Sequence, residues 1–370
     1  MKTKKANFQD FPADLVRVYA IFGVVYIHSD SITSSLTNYV GGTSWWLATF
    51  FQSLFRVSVP LFIMLSGYLW LEVKKDVPTF KEMIKRSIMR IGLPLITWSS
   101  FYFFWQGYWK GNLVSFNQAL LKFFKADVFH LYFLFIIIGL YLSLPFIKSY
   151  WVKLQLKSKL IIAITLLCVS MIWLAIDYFF LHGYGSSNAF LIFLPYSGYF
   201  LLGSLVRDCK LKRYYRYLIA VTVLLLTGLT SYFYALHVND FARGDLLFWT
   251  GSNGYYFWEN FSPNQVVMSV LTFWLIMNSG DWLERLHVLK IKTILKNISL
   301  VSFGIYLIHP LVIDLVEHYL NYSIHLIHGN LWFYLIKKVT IVFIFSYVLV
   351  VIGEKIPIIR LFVFGKIKKD

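Results

Sequence analysis

"DLVRVYAIFGVVYIHSD", Asp14 to Asp30, is apolar enough to sit in lipid, yet it carries an arginine and a histidine. In lipid a helix is the form that satisfies its own backbone polar groups. Arg17 and His28 stand eleven residues apart, close to three whole turns at about 3.6 residues per turn. They therefore share one stripe, about 16 Å apart along the axis at about 1.5 Å per residue. Asp14, three residues before Arg17, lies on the neighbouring part of that face and can pair with it. Ionisable groups at membrane depth are costly, so such a stripe faces a bundle interior and is a functional candidate. The opposing reading has Arg17 and His28 reaching out to the two membrane interfaces.

The rest of the chain has the same character. Of its 370 residues 58% are hydrophobic and 14% charged, with a mean hydropathy of +0.63, whereas soluble domains run near 25% charged. Ten apolar segments have spanning length: 13–31, 46–71, 91–109, 129–148, 160–181, 190–206, 217–237, 263–280, 298–319 and 331–353. The expectation is one all-α polytopic membrane domain over 1–370, about ten transmembrane helices, with both termini cytoplasmic. The +17 net charge agrees with this orientation. With the N-terminus inside, 27 of the 35 Lys and Arg fall in 1–12, 72–90, 148–159, 207–216, 281–297 and 354–370. Only Lys110, Lys122, Lys125 and Arg243 fall outside. The basic excess is thus topology plus attraction to anionic lipid, and nucleic acid is not an expected partner. Arg17, Arg56, Lys337 and Lys338 fall within spans.

"MKTKK" could open a signal peptide, but Arg17 interrupts the apolar run and no A-x-A site follows. Cys168 and Cys209 point to neither a disulfide nor a metal site, and no metal is expected. There is no internal repeat of the kind transporters often carry. The long outside loop from Val238 to Asn264 is rich in Gly, Asn and aromatics. That composition suits a lid or carbohydrate-contacting surface, or aromatic anchoring at the interface.

Five stretches resemble the membrane acyltransferase 3 family, in family order. Arg17, ten residues, then His28 matches its N-terminal signature. "RVSVPLFIMLSGYLW" (Arg56 to Trp70), "HLYFLFIIIGLYLSLP" (His130 to Pro145), "LPYSGYFLLGSLV" (Leu194 to Val206) and "ISLVSFGIYLIHPLV" (Ile298 to Val312) resemble four further motifs. There is one departure. Family members often show Arg-x-x-Arg after helix 2, whereas Arg86 and Arg90 here are four apart.

The resemblance implies a membrane O-acyltransferase of the cell membrane, moving an acyl group, typically acetyl from acetyl-CoA, to a hydroxyl of a surface glycan or its lipid-linked precursor. His28 is then the expected base, and Arg17 the group that orients the donor arm or stabilises the oxyanion. Lys85, Arg86 and Arg90 form a cytoplasmic cluster suited to the phosphates of coenzyme A. Arg56, His130, Tyr306 and His309 are further candidates for substrate and donor binding. Arg56 could instead pair with a carboxylate such as Asp314, and the histidines could be packing residues. Ser66 and Tyr306 could donate hydrogen bonds in the site or bond neighbouring backbone. The rival function is a glycan or metabolite transporter without acyl chemistry.

Overall fold

The computed structural model describes residues 11–30, 33, 41–71, 76–111, 114–181, 188–208, 211–243, 256–280, 289–320 and 330–366. The basic N-terminus, residues 244–255 of the Val238–Asn264 loop and residues 281–288 of the 281–297 segment lie outside the described residues. Every regular element described is helical: α1 (Phe11–Ser29), α2 (Thr43–Phe55), α3 (Ser58–Trp70), α4 (Phe80–Ser87), α5 (Leu93–Lys110), α6 (Phe116–Phe124), α7 (Tyr132–Trp151), α8 (Leu156–Phe179), α9 (Ser197–Ser204), α10 (Arg213–Arg243), α11 (Pro263–Met277), α12 (Leu289–Tyr319), α13 (Leu331–Gly353) and α14 (Pro357–Phe362). Among the described residues seven stretches are long and apolar enough to cross a membrane: α1, α2 with α3, α7, α8, α10, α12 and α13. The chain is an all-α polytopic membrane protein. The other three expected segments are helical as well. They are the aromatic-rich α5, the 15-residue α11, and turns followed by the eight-residue α9.

α1 is the central post, packed against α12, α3, α13, α2 and α11. Val16, Ala20, Ile21 and Val25 on it are fully enclosed. By contrast α8 turns Ile161, Ile164, Val169 and Ile172 outward, as a lipid-facing helix should. The tightest helix pair is α3 with α9. A Cβ on Gly203 would lie 2.0 Å from the Met64 carbonyl oxygen, so only glycine lets these backbones approach so closely.

Four of the prolines within spans, Pro60, Pro94, Pro145 and Pro310, bear on the interior. Proline has no N–H and leaves the carbonyl four residues earlier without its helical partner. Pro60, Pro94, Pro145 and Pro310 stand four residues after Arg56, Arg90, Tyr141 and Tyr306. At Pro60 the expected 46–71 helix divides into α2 and α3, with Arg56 and Val57 at the break. At Pro94 the chain widens into a π-helical turn, Ile88–Gly92, in which the Leu93 N–H donates to the Ile88 carbonyl five residues back.

Candidate active site

α1 and α12 run side by side in the same direction, since Asp14 meets Ser299 and His28 meets His309. Their polar residues fall into two layers. In the lower layer Arg17 Nη1 donates to Asp14 Oδ1 at 2.9 Å and to Ser299 Oγ at 3.3 Å. Ser299 Oγ in turn donates to the same carboxylate oxygen at 2.6 Å. The expected Asp14–Arg17 pair is formed, and a second helix, α12, anchors it through Ser299. A pair of this kind holds the guanidinium in one orientation without neutralising its other donors.

Arg17 lines a cavity of about 340 Å³ together with Arg86, Arg90, Trp70, Tyr141 and Tyr306. Arg86 also lies over the Trp70 ring, 5.3 Å from its centroid. Both Arg86, before the π turn, and Arg90, within it, line this cavity. Four residues apart on a plain helix they already share one face, about 40° apart, and a turn closed by an i→i+5 bond takes up one extra residue. The four-residue spacing thus still brings both guanidinium side chains to one cavity. The turn is braced from behind: Gly365, at φ +64°, sits so close to the Arg90 carbonyl that a Cβ would fall 2.1 Å from it. Lys85, grouped with these arginines in the sequence, is exposed and does not line the cavity. Ser66 lines it, but its hydroxyl donates to the Phe62 carbonyl of its own helix.

Tyr306 closes the upper end of this cavity. Its hydroxyl donates to the His130 backbone carbonyl, so its proton serves that loop. Above Tyr306 lies the second layer, where three sequence candidates from three parts of the chain meet. The His28 and His309 ring centroids are 5.2 Å apart, His130 and His309 5.1 Å, and His28 and His130 6.3 Å. Tyr102 and Tyr306 flank His130 at 5.3 and 5.2 Å. His130 and His309 are buried, whereas His28 is exposed. Among the described residues no group of His, Cys, Asp or Glu is arranged to hold a metal ion. The cluster thus gathers three imidazoles, one of them accessible.

Arg56, at the α2–α3 break, lies over the Trp258 ring at 4.8 Å, and its charge acts on both His28 and Glu259. Asp314, the alternative partner considered from the sequence, accepts from Trp105 Nε1 at 2.9 Å. Lys338 is buried and pairs with Glu317 at 2.6 Å. Trp258 and Tyr141 were not singled out from the sequence. The proline four residues on marks Tyr141; nothing local marks Trp258, which arrives from a distant loop.

A family model described as an acyltransferase domain matches residues 13–352, nearly the whole chain. No curated protein and no solved structure matches. The chain belongs to the acyltransferase 3 family and is a membrane acyltransferase.

Proposed function

We propose that this acyltransferase moves an acetyl group from acetyl-CoA in the cytoplasm to a hydroxyl of a cell-envelope glycan or its lipid-linked precursor. The bundle has ten spans with both termini inside, in a bacterial cytoplasmic membrane. The observation that carries this reading is the pairing of two layers. A cavity edged by Arg17, Arg86 and Arg90 ends at Tyr306, directly beneath a histidine cluster whose exposed ring is His28.

Coenzyme A carries several phosphate charges, and guanidinium groups suit them. The lower layer receives the donor. Arg17 and His28 are separated by about 16 Å along α1. An oxyanion donor must lie within hydrogen-bond distance of the reacting carbonyl, so of the two roles considered for Arg17, steering the donor arm fits. We assign oxyanion stabilisation to Arg56, whose charge acts on His28. In the transfer His28 takes the proton of the acceptor hydroxyl, whose oxygen bonds to the acyl carbon. The carbon–sulfur bond then breaks, and the coenzyme A thiolate leaves and is protonated.

The test uses the purified full-length protein in vesicles of defined orientation. Acetyl-CoA supplied on the Arg86 side should be consumed, with a matching mass gain of one acetyl per acceptor sugar on the other side. Glycan movement without thioester consumption would support the transporter instead. Consumption only of a different acyl-CoA would correct the donor.

A further inference from the structure

The helix around His309 contains its own reason for that residue. Pro310 cannot donate to the carbonyl of Tyr306, four residues earlier. His309 Nδ1 takes the vacant place, 2.8 Å from the Tyr306 carbonyl oxygen and 3.3 Å from that of Ile305. A carbonyl oxygen only accepts, so the proton of the neutral ring is on Nδ1 and Nε2 carries the lone pair. His309 is fully buried, and its Nε2 takes no hydrogen bond among the described residues. A buried acceptor without a donor costs free energy, so a partner in the working state is called for. His28 is the accessible ring beside it, tilted 45° at 5.2 Å between centroids. That spacing suits two imidazoles joined edge to edge by one N–H···N bond. His130 is as near but is buried between Tyr102 and Tyr306.

We propose that His309 is a positioning residue for acyl transfer. Its Nε2 accepts the N–H of one nitrogen of His28 and so places the lone pair that acts as base on the other nitrogen of His28. This rests on the reading of His28 as that base. In soluble acyl-transfer sites a buried carboxylate holds the histidine tautomer. At membrane depth a carboxylate would have to be desolvated at high cost. An imidazole whose own tautomer is set by the backbone orients His28 without adding a charge. Once His28 has taken the proton, the same lone pair stabilises its imidazolium.

His309→Asn keeps an amide donor near the Tyr306 carbonyl but removes the acceptor; His309→Gln carries an amide oxygen out to the Nε2 position. We expect His309→Asn to lower kcat by roughly 10- to 100-fold with donor KM within about twofold, and His309→Gln to recover most of that loss. Equal losses in the two variants, or a loss confined to KM, would overturn the proposal. Pro310→Ala is a second variant, should either of these fail to fold. It returns an N–H to the Tyr306 carbonyl and releases His309 Nδ1. It should raise thermal stability, because proline disfavours a helix interior, while lowering kcat. Unchanged kcat would overturn the proposal. In full-length protein labelled with ¹⁵N-histidine in nanodiscs, His28 should show one tautomer in the wild type and a mixture in His309→Asn. An unchanged His28 signal sinks the assignment whatever the kinetics. His28→Ala separates the two claims. If that variant still transfers acyl groups, the base reading fails. If it is inactive while His309→Asn behaves as wild type, only the positioning role fails.

Discussion

The lower cavity and the histidine cluster above it are assembled by opposite physics. Arg17 is partly buried, and Arg86 and Arg90 are exposed, long and held by few contacts: a carboxylate and serine for Arg17, an indole face for Arg86. His28, His130 and His309 are short rings fixed at spacings of 5.1 to 6.3 Å by three separate elements. Charge acts over several ångströms, so a basic cavity tolerates loose placement. Proton transfer needs hydrogen-bond contact, so the rings do not. Affinity should therefore be spread over several groups below, and turnover concentrated above.

The sharpest way to break this contrast is His28→Ala. Loss of a general base costs on the order of 10²–10⁴-fold, and the loss should fall on kcat with donor KM nearly unchanged. Near-normal transfer by the purified variant at matched amounts would remove the distinction between the layers. Arg17→Lys should come next. The ammonium cannot reproduce a planar group shared between Asp14 and Ser299. A fall of roughly 10- to 100-fold in kcat/KM is expected, in line with hydrogen bonds to charged groups worth about 1.5–3 kcal/mol. If Arg17 merely reached the interface, lysine would replace it well, and steady-state kinetics on donor would read wild type.

A smaller effect belongs to Arg86→Ala and Arg90→Ala. Each is exposed and contributes little to the core. Each should raise donor KM by about tenfold while leaving melting temperature and kcat almost unmoved. A drop in kcat as large as that of His28→Ala would mean that the arginines act in the chemical step and that the two layers are one.

How far the sequence could show this arrangement follows from the same contrast. The Arg17–His28 stripe depends on one helix's periodicity, and its Asp14 pair on local spacing, so both were legible. The helical bundle was legible from apolar run lengths. The meeting of His28, His130 and His309 is tertiary: each comes from a different element, and no spacing in one chain segment encodes it. The same holds for Trp258 over Arg56. The prolines lie between these cases. Each freed carbonyl is written in the sequence four residues earlier, at Arg56, Arg90, Tyr141 and Tyr306, but what fills the opening depends on the fold. At Tyr306 it is the neighbouring His309 ring; at Pro94 the helix widens instead.

That widening supports the mildest prediction. Deleting Ile88 would shorten the spacing of Arg86 and Arg90 to the common Arg-x-x-Arg. On an ordinary helix a one-residue deletion turns everything beyond it by about 100°, which would swing Arg90 and α5 out of register and abolish donor binding. A π turn holds one residue more than the α-helical hydrogen-bond pattern needs, here with Leu93 bonded to Ile88 across five residues. Removing that residue lets the turn close in the i→i+4 pattern with both flanks in place. Ile88 is also the cheapest residue there to lose, since it is 54% exposed and packs little. Pro94 remains, so the Arg90 carbonyl stays without a helical donor and Gly365 keeps its close seat against it. The deletion should change donor KM by less than about threefold and leave kcat intact. Loss of donor binding in a variant that still inserts and melts normally would show that the extra residue is part of the site's geometry, and that the lower layer is as exacting as the upper one.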